Sequence, residues 1–577
     1  MPDRTKERVR NPLRITSVTN AILGTRSPEA WRSGILCGLL AVVMVLACGI
    51  GEPMGFEDDW SIGRTAELFA QTGHFVYNGW EAPTVGWLIL WAAPFIKAFG
   101  YSYLVIRLSM LPIVFATIFL FYQSLIRFGL TVPNASFGAL TLGVSPIFLP
   151  VASSFMTDIP ALFVTILCLV LCQKAVAQRK NHAVVAWLVA AALTNIVGGT
   201  VRQSAFLGIL CMIPGVGWWQ RKRRGVLPAA AILTSIGCIW IFLFLMWYRK
   251  QPYSLNQAII PSSFLGLEPI GFLRTLLTIP RFLLVALLPV IACNTPAALR
   301  LPRTAFWGIY TVFSILVLWT SSDWSANQFG YALAYLGIQT PVALIGILAV
   351  LALVFLRLRY RSRRQLEEWS ETGMQPRADS WSRIFRLLGP YSLGYLLLLL
   401  TGGPIQIIWD RYLLGLLPIT IVCLLKVHQD RASRGIPSGA IFVLLMVGYG
   451  GFAKTQRLHS EHRAIVEAAN RLRARNIPRT EIAAGLEYDG ETQLDAVGYI
   501  NNPDMITPAG AYHPFKPPPE TPSAFGTLSY SPAIDPRYFI VENLDSDLAL
   551  SNEPPVEYIV FYPPFHRWMY IQQLRGR

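Results

Sequence analysis

The chain has 577 residues, of which 53% are hydrophobic and only 14% are charged, and its mean hydropathy is +0.44. A soluble chain of this length is normally about one-quarter charged, so this composition excludes an ordinary soluble protein. The net charge of +16 is concentrated in short segments between apolar blocks, a pattern that fixes membrane topology and differs from the basic stripe of a nucleic-acid-binding protein.

Apolar blocks able to cross about 30 Å of hydrocarbon follow a basic tail, 1–33. We predict thirteen spans, at 36–50, 104–125, 136–150, 159–176, 183–199, 204–219, 226–247, 272–293, 305–320, 331–356, 387–401, 412–425 and 440–451. When the spans alternate, most Lys and Arg fall on one side, which predicts a cytoplasmic N-terminus. The sequence therefore predicts a polytopic α-helical membrane protein of the cell inner (plasma) membrane.

The first outer loop, 51–103, is predicted to contain two short helices, at 62–70 and 84–99. The second is apolar enough to be taken for a span, but counting it would place basic loops on both sides. It contains Pro94, Lys97 and several aromatic residues, so we predict a helix lying in the outer interface.

The composition changes at the end of the predicted membrane domain, 34–453. Residues 454–577 are predicted to form a small α+β domain outside the cytoplasm, which means the periplasm if the source is a Gram-negative bacterium and the extracellular space otherwise. We predict a basic helix at 454–475 and strands at 481–486 and 557–562, around a Pro-rich region.

Three consecutive acids, Glu57, Asp58 and Asp59, follow the first span and precede Trp60. A solvated turn would explain them, but a carboxylate cluster at a membrane surface could also activate a hydroxyl or bind a cation. Trp60 could stack on a sugar ring or lie at the interface. With Asp158, the acids Glu57 and Asp58 could hold a divalent metal such as Mg or Mn.

Asp158 opens a predicted span in a very short outer loop, where it could simply cap the helix. The predicted topology nevertheless places it on the same side as Asp58. Arg202 and Arg411 also lie at outer helix ends, where they could bind a lipid phosphate. Snorkelling, or an ion pair such as that with Asp410, would equally explain these arginines.

The stretch from Asp58 to Gly73 resembles the first-loop acidic signature of GT-C glycosyltransferases, of the protein O-mannosyltransferase and aminoarabinose lipid A transferase (ArnT-like) type. There an Asp, usually followed by Glu, leads an Ala-containing helix that ends in Gly, and Asp58 and Asp59 match that pair. Segments 100–108, 155–162 and 410–418 resemble the second-span entry, the acidic second outer loop and a late Arg-Tyr-Leu-Leu signature.

The resemblance implies transfer of a sugar from polyprenyl phosphate, with Asp58 as base and Asp59 or Asp158 orienting the acceptor or a cation. Arg202 and Arg411 would neutralise the lipid phosphate, and Trp60, Glu81 and Lys97 complete the candidate substrate contacts. Segment 80–83 departs from the family, which often has His or Lys before this Pro-rich entry. Contacts of that basic residue cannot be carried over.

The expected partners are membrane lipids, a polyprenyl-phosphate sugar donor and an unidentified envelope acceptor, but no nucleic acid. A transporter or flippase of lipid-linked sugars is the main alternative, although such proteins tend to have inverted repeats and mid-membrane charges. A non-catalytic assembly protein that binds cell-wall polymers is a third alternative.

Overall fold

The computed structural model describes residues 28–81, 84–255, 269–294, 378–402, 409–431, 435–511 and 528–575. Within these ranges, eight helices are long and apolar enough to cross a membrane. A helix satisfies its backbone hydrogen bonds internally, as hydrocarbon requires. The protein is therefore a multi-pass α-helical membrane protein, which confirms the predicted class.

The helices are α1 (Pro28–Ala47), α2 (Asp59–Thr72), α3 (Gly86–Phe99), α4 (Tyr103–Arg127), α5 (Val132–Gly143), α6 (Phe148–Ala152), α7 (Asp158–Ala177), α8 (Asn181–Gly198), α9 (Ile213–Trp219), α10 (Val226–Tyr248), α11 (Pro269–Cys293), α12 (Ala378–Gly402), α13 (Leu417–Arg431), α14 (Ser438–Arg473) and α15 (Leu486–Val497). A 3₁₀ turn (Gln203–Phe206) and a π turn (Gly208–Met212) precede α9, and the 3₁₀ turn Asp410–Leu416 precedes α13.

The eight candidate spans are α1, α4, α7, α8, α10, α12, α13 with its preceding turn, and α14. The predicted spans 305–320 and 331–356 lie outside the described residues, as do the tail up to residue 27 and the Pro-rich stretch 514–519. The total of thirteen spans therefore stays a prediction.

Two of the predicted spans have different bounds in the structure. The predicted span 136–150 is two helices, α5 and α6, because Pro146 lacks an N–H and disfavours helix at the residue before it. Ser145 lies three residues before the second helix, and its hydroxyl accepts the N–H of Phe148 at 3.1 Å. The first helix also begins earlier than predicted, at Pro28.

The last span and the basic helix predicted after it form one helix of 36 residues, α14. Its buried residues continue past the predicted domain boundary at 453/454, through Ala464, Ala468 and Leu472. Because the same helix passes from the span into the C-terminal domain, no linker separates the two at this point.

The C-terminal sheet has the strands β1 (Ile482–Ala483), β2 (Tyr538–Val541), β3 (Leu548–Leu550), β4 (Val556–Ile559) and β5 (His566–Leu574). The order is β1-β2-β5-β3, with β4 also pairing with β5, and only β1 and β2 are parallel. The predicted strand 481–486 is mostly wrong, because Leu486 already begins α15. The predicted strand 557–562 corresponds to β4. Apolar residues of α14 cover this sheet and share its core.

The first loop contains α2 and α3, close to the two helices predicted there. The N–H of Ile500 donates to the carbonyl of Asn78 at 2.8 Å, and Gly79 donates to Tyr253 at 2.9 Å. The C-terminal domain therefore rests directly on the first loop, which carries the predicted acidic residues.

Candidate active site

Arg107, inside α4, fixes the beginning of the first loop. Its Nε lies 2.8 Å from Oδ2 of Asp59, its Nη1 contacts the Glu52 carboxylate, and its Nη2 donates to the carbonyl of Met54 at 2.8 Å. The three charged side chains are 0% exposed. The Phe56 N–H donates to the other Asp59 oxygen at 2.6 Å. Asp59, predicted to act on the acceptor or a cation, instead has the contacts of a positioning residue.

The same network reaches the long helix α14. One ring nitrogen of His459 lies 2.7 Å from Oε1 of Glu52, and the other lies 2.9 Å from Oγ of Ser153. Phe56 stacks on this imidazole with the ring centroids 4.4 Å apart. Three distant segments are therefore tied together beneath the acidic loop.

Arg411 binds Asp58 and Glu57, the other two of the three consecutive acids in the first loop. Its Nη2 lies 3.0 Å from Oδ2 of Asp58, and its Nη1 contacts the Glu57 carboxylate. The Arg411 side chain is 14% exposed, whereas Asp58 and Glu57 are 28% and 37% exposed. This ion-pair cluster is partly exposed, so a ligand can reach its charged groups.

The local backbone explains why adjacent acids have different partners. Glu57 has a φ of 55°, in the left-handed region that is uncommon for residues other than glycine, and α2 begins two residues later. Asp58 precedes this helix, but its side chain makes no capping hydrogen bond. Its Oδ1 instead accepts the indole N–H of Trp80 at 2.8 Å. Both oxygens of Asp58 consequently face donors outside the helix.

Asp158 pairs with Arg202, the other arginine that the sequence singles out. Their Oδ1 and Nη1 atoms are 2.9 Å apart, and Nη1 also donates to Oγ1 of Thr157 at 3.1 Å. Among the described residues, Oδ2 of Asp158 is buried without a hydrogen-bond partner. An unsatisfied buried acceptor costs about 1–3 kcal/mol, so this oxygen is a candidate contact for a substrate hydroxyl.

The two arginines meet around the ring of Tyr412. Its centroid lies 5.0 Å from Cζ of Arg202 and 5.9 Å from Cζ of Arg411. Both arginines line one pocket with Asp158, Ser204, Tyr391 and Tyr395. The pocket lining combines two guanidinium groups, hydroxyls and an unpaired carboxylate oxygen, groups that can bind the oxygens of a phosphate or of a hydroxyl.

Glu81 lies elsewhere in the first loop, where it is 3% exposed. Its carboxyl accepts hydrogen bonds from the Thr65 hydroxyl and, at 3.1 Å, from the Asn78 amide. Burial raises the pKa of Glu81 to about 7, because its hydrogen bonds only partly offset the lost hydration. Glu81 therefore secures the loop and does not line the arginine pocket.

Trp60 and Lys97 also lie outside that pocket lining. Trp60 is 1% exposed, and Gly490 of α15 packs so closely that an added Cβ would lie 2.6 Å from the indole. Contrary to expectation, Trp60 presents no free face to a sugar, because the C-terminal domain covers it. Lys97 is exposed in the last turn of α3, and its predicted contact stays a prediction.

The metal set predicted from Glu57, Asp58 and Asp158 is not assembled. Within the described ranges, no group of three or more His, Cys, Asp and Glu residues is placed to hold a metal ion. Arg411 pairs with the first two carboxylates and Arg202 with the third. This arrangement does not fit a divalent cation, and the arginines supply the positive charge.

Sequence reasoning missed Arg107 and Trp80. An arginine within an apolar helix is costly unless paired, and this rule could have suggested a buried acidic partner for Arg107. For Trp80, the chain gives no comparable signal, because its bond to Asp58 depends on how the loop folds back.

No known protein family matches the sequence, and no curated protein matches it. Among solved structures, the chain is similar to an S. cerevisiae protein O-mannosyltransferase complex bound to the sugar donor. Identity is 11%, coverage is 43% of this chain and 38% of that one, and the TM-score is 0.35.

ArnT from Cupriavidus metallidurans, bound to undecaprenyl phosphate, is 14% identical, with 94% of this chain and 98% of that one covered and a TM-score of 0.38. An oligosaccharyltransferase of Archaeoglobus fulgidus, in complex with Zn and sulfate, is 15% identical, with 87% and 62% covered and a TM-score of 0.44. The chain thus spans less than two thirds of the yeast and archaeal chains. These likenesses, at 11–15% identity, concern the fold alone.

Proposed function

We propose that this protein is an inverting glycosyltransferase that moves a sugar from polyprenyl phosphate to an acceptor hydroxyl on the outer face of a cell inner membrane. The observation that carries this proposal is the pocket shared by Arg411, Arg202 and Asp158, with Asp58 bound to the first of these arginines. It supplies cations for a phosphate and carboxylates for a hydroxyl at one place.

The pocket is placed to receive a lipid phosphate. Most of its lining comes from α7, α12 and the turn before α13, which belong to candidate membrane spans, while Arg202 and Ser204 come from the segment that follows α8. A polyprenyl chain could therefore lie among apolar residues while its phosphate reaches Arg411 and Arg202. The guanidinium fork can bind a phosphate in the same bidentate geometry as a carboxylate, so a bound donor would compete with Asp58 for Arg411.

The released Asp58 can then act as general base. It takes the proton of the acceptor hydroxyl while that oxygen bonds to the anomeric carbon. The bond from this carbon to the phosphate oxygen breaks, and its electron pair leaves with the phosphate, whose charge the arginines stabilise. Attack from the face opposite the leaving group inverts the anomeric configuration without a covalent glycosyl-enzyme.

The topology proposed with this function puts tail 1–33 in the cytoplasm and 454–577 in the periplasm or extracellular space, with the membrane domain 34–453 between them. The C-terminal domain lies on the first loop, so the acceptor would approach from the same outer side. The acceptor is an envelope lipid, glycan or protein.

The test is transfer of a labelled sugar from polyprenyl phosphate by purified protein, with Asp58→Asn compared with wild type. A general base typically contributes about 10²–10⁴-fold, so we expect a loss of at least about a hundredfold. Asp495→Asn, on the surface of the C-terminal domain, is the matched control and should keep the wild-type rate.

Two results would contradict the proposal. An Asp58→Asn variant with wild-type turnover would remove Asp58 as the base. Absence of transfer with every sugar donor, together with movement of the donor across liposomes, would indicate the transporter instead.

A further inference from the structure

The two oxygens of Asp58 face donors of different kinds. Oδ2 lies 3.0 Å from the Arg411 guanidinium, and Oδ1 accepts the Trp80 indole N–H at 2.8 Å. A phosphate bound in the pocket can compete for Arg411, which lines the pocket, but not for the Trp80 indole, which does not. The indole bond therefore persists when the ion pair is broken.

Aromatic rings from two parts of the chain hold the Trp80 indole. Trp60 of the first loop lies against it at a centroid distance of 5.6 Å, and Tyr530 of the C-terminal domain meets it edge-on at 5.5 Å. The Tyr530 carbonyl in turn accepts the N–H of Asn501 at 3.0 Å. The orientation of the indole thus depends on the docking of the C-terminal domain.

We propose that Trp80 is the positioning residue for Asp58 and that Tyr530 holds Trp80 in place, so the C-terminal domain takes part in the reaction through this contact. The inference rests on the proposed transferase function, because it assigns a role within that site.

The chemistry of indole gives this role a direction. The indole N–H is only a hydrogen-bond donor, so in this proposal Trp80 keeps Oδ1 of Asp58 hydrogen-bonded throughout the reaction. The other oxygen, Oδ2, becomes free when phosphate engages Arg411. Trp80 therefore selects Oδ2 as the atom that receives the acceptor proton and holds it in a fixed direction.

The kinetic test compares Trp80→Phe with wild type. Phenylalanine keeps an aromatic ring but loses the N–H, so we expect kcat to fall about tenfold, as for loss of one hydrogen bond to a charged group. The KM for the polyprenyl-phosphate donor should change less than about twofold, since the arginines are untouched. Unchanged kcat would overturn the proposal, and so would a loss confined to KM.

A pair of variants tests the contribution of the C-terminal domain. Tyr530→Phe keeps the edge-on ring and should retain wild-type kcat. Tyr530→Ala removes it and should lower kcat about two- to tenfold, the usual range for an aromatic pair. Equal rates for these two variants would overturn the role of Tyr530. Trp568→Phe, on strand β5, serves as a control for tryptophan replacement.

A spectroscopic test does not require activity. In protein labelled with 5-fluorotryptophan, the ¹⁹F resonance absent from Trp80→Phe belongs to Trp80, and Asp58→Asn should shift it. Tyr530→Ala should shift it as well. If Asp58→Asn leaves this resonance in place, the hydrogen bond is absent and the inference fails. If the shift occurs but wild type transfers no sugar, the proposed function is what has failed.

Discussion

Arg107 and Arg411 have the same kind of partners in very different surroundings. Each contacts two carboxylates of the first loop, Arg107 binding Glu52 and Asp59 and Arg411 binding Glu57 and Asp58. All members of the Arg107 cluster are 0% exposed, whereas those of the Arg411 cluster are 14–37% exposed.

Burial decides what such a cluster can do. Around Arg107, the charged side chains are fully buried and backbone groups at Met54 and Phe56 add further hydrogen bonds, so a ligand has no access to the cluster. Around Arg411, the carboxylates are partly exposed, so exchange of a carboxylate for a phosphate costs less than it would around Arg107. Two arginines with the same partners can therefore serve structure in one case and chemistry in the other.

The largest expected effect is on stability and follows from Arg107→Met. The substitution leaves the carboxylates of Glu52 and Asp59 buried without a cation, which should destabilise the protein by about 3–5 kcal/mol. Thermal unfolding in detergent measures this loss.

Arg411→Met is the matched comparison for that experiment. Because the carboxylates it leaves behind are partly exposed, its stability should fall by about 1–2 kcal/mol, less than for Arg107→Met. Equal destabilisation by Arg107→Met and Arg411→Met would contradict the distinction between a sealed cluster and an accessible one.

Glu81 is a third case to set beside the two arginine clusters. Its carboxyl is buried like those around Arg107, but it accepts hydrogen bonds from the neutral donors Thr65 and Asn78. Its pKa is raised from an ordinary value near 4.5 to about 7 by burial. Between these values the unfolded chain has lost the proton while the folded protein keeps it. Stability therefore falls as pH rises from about 4.5 to about 7, by on the order of 3 kcal/mol.

Glu81→Gln, a neutral analogue of the protonated acid, should flatten that part of the stability profile. Unfolding temperatures of wild type and variant, measured at pH 5 and pH 7.5, give the difference directly. Parallel profiles would mean that Glu81 does not keep its proton in the folded protein.

The sequence was sufficient to predict the membrane fold, and it singled out Asp158, Arg202 and Arg411, which the structure brings to one pocket. These residues could be grouped from the sequence because the predicted alternation of spans places distant loops, such as those of Asp58 and Asp158, on one side of the membrane. The break at Pro146 could also have been expected from proline chemistry alone.

The sequence could not predict which residue of the first loop turns inward. Asp58 and Asp59 are adjacent and chemically alike, but the loop conformation sends one to Arg411 and the other to Arg107. Trp60 and Trp80 are equally ambiguous, since the docking of α15 decides which of them is covered. Such choices depend on contacts between parts of the chain hundreds of residues apart, which local patterns do not encode.

The smallest expected effect is that of Arg411→Lys, a variant that tests whether Arg411 exchanges its carboxylates for a phosphate. Arg411→Lys keeps the charge but loses the planar fork, so it should raise the KM for the polyprenyl-phosphate donor about tenfold, equivalent to about 1.4 kcal/mol. Arg471→Lys, a surface arginine paired with Glu467 on α14, should leave this KM unchanged. Because both variants preserve net charge, a selective effect at Arg411 would identify directed binding of the phosphate over general attraction. If both variants bound donor as wild type does, Arg411 would be a second structural arginine, and its difference from Arg107 would be one of hydration alone.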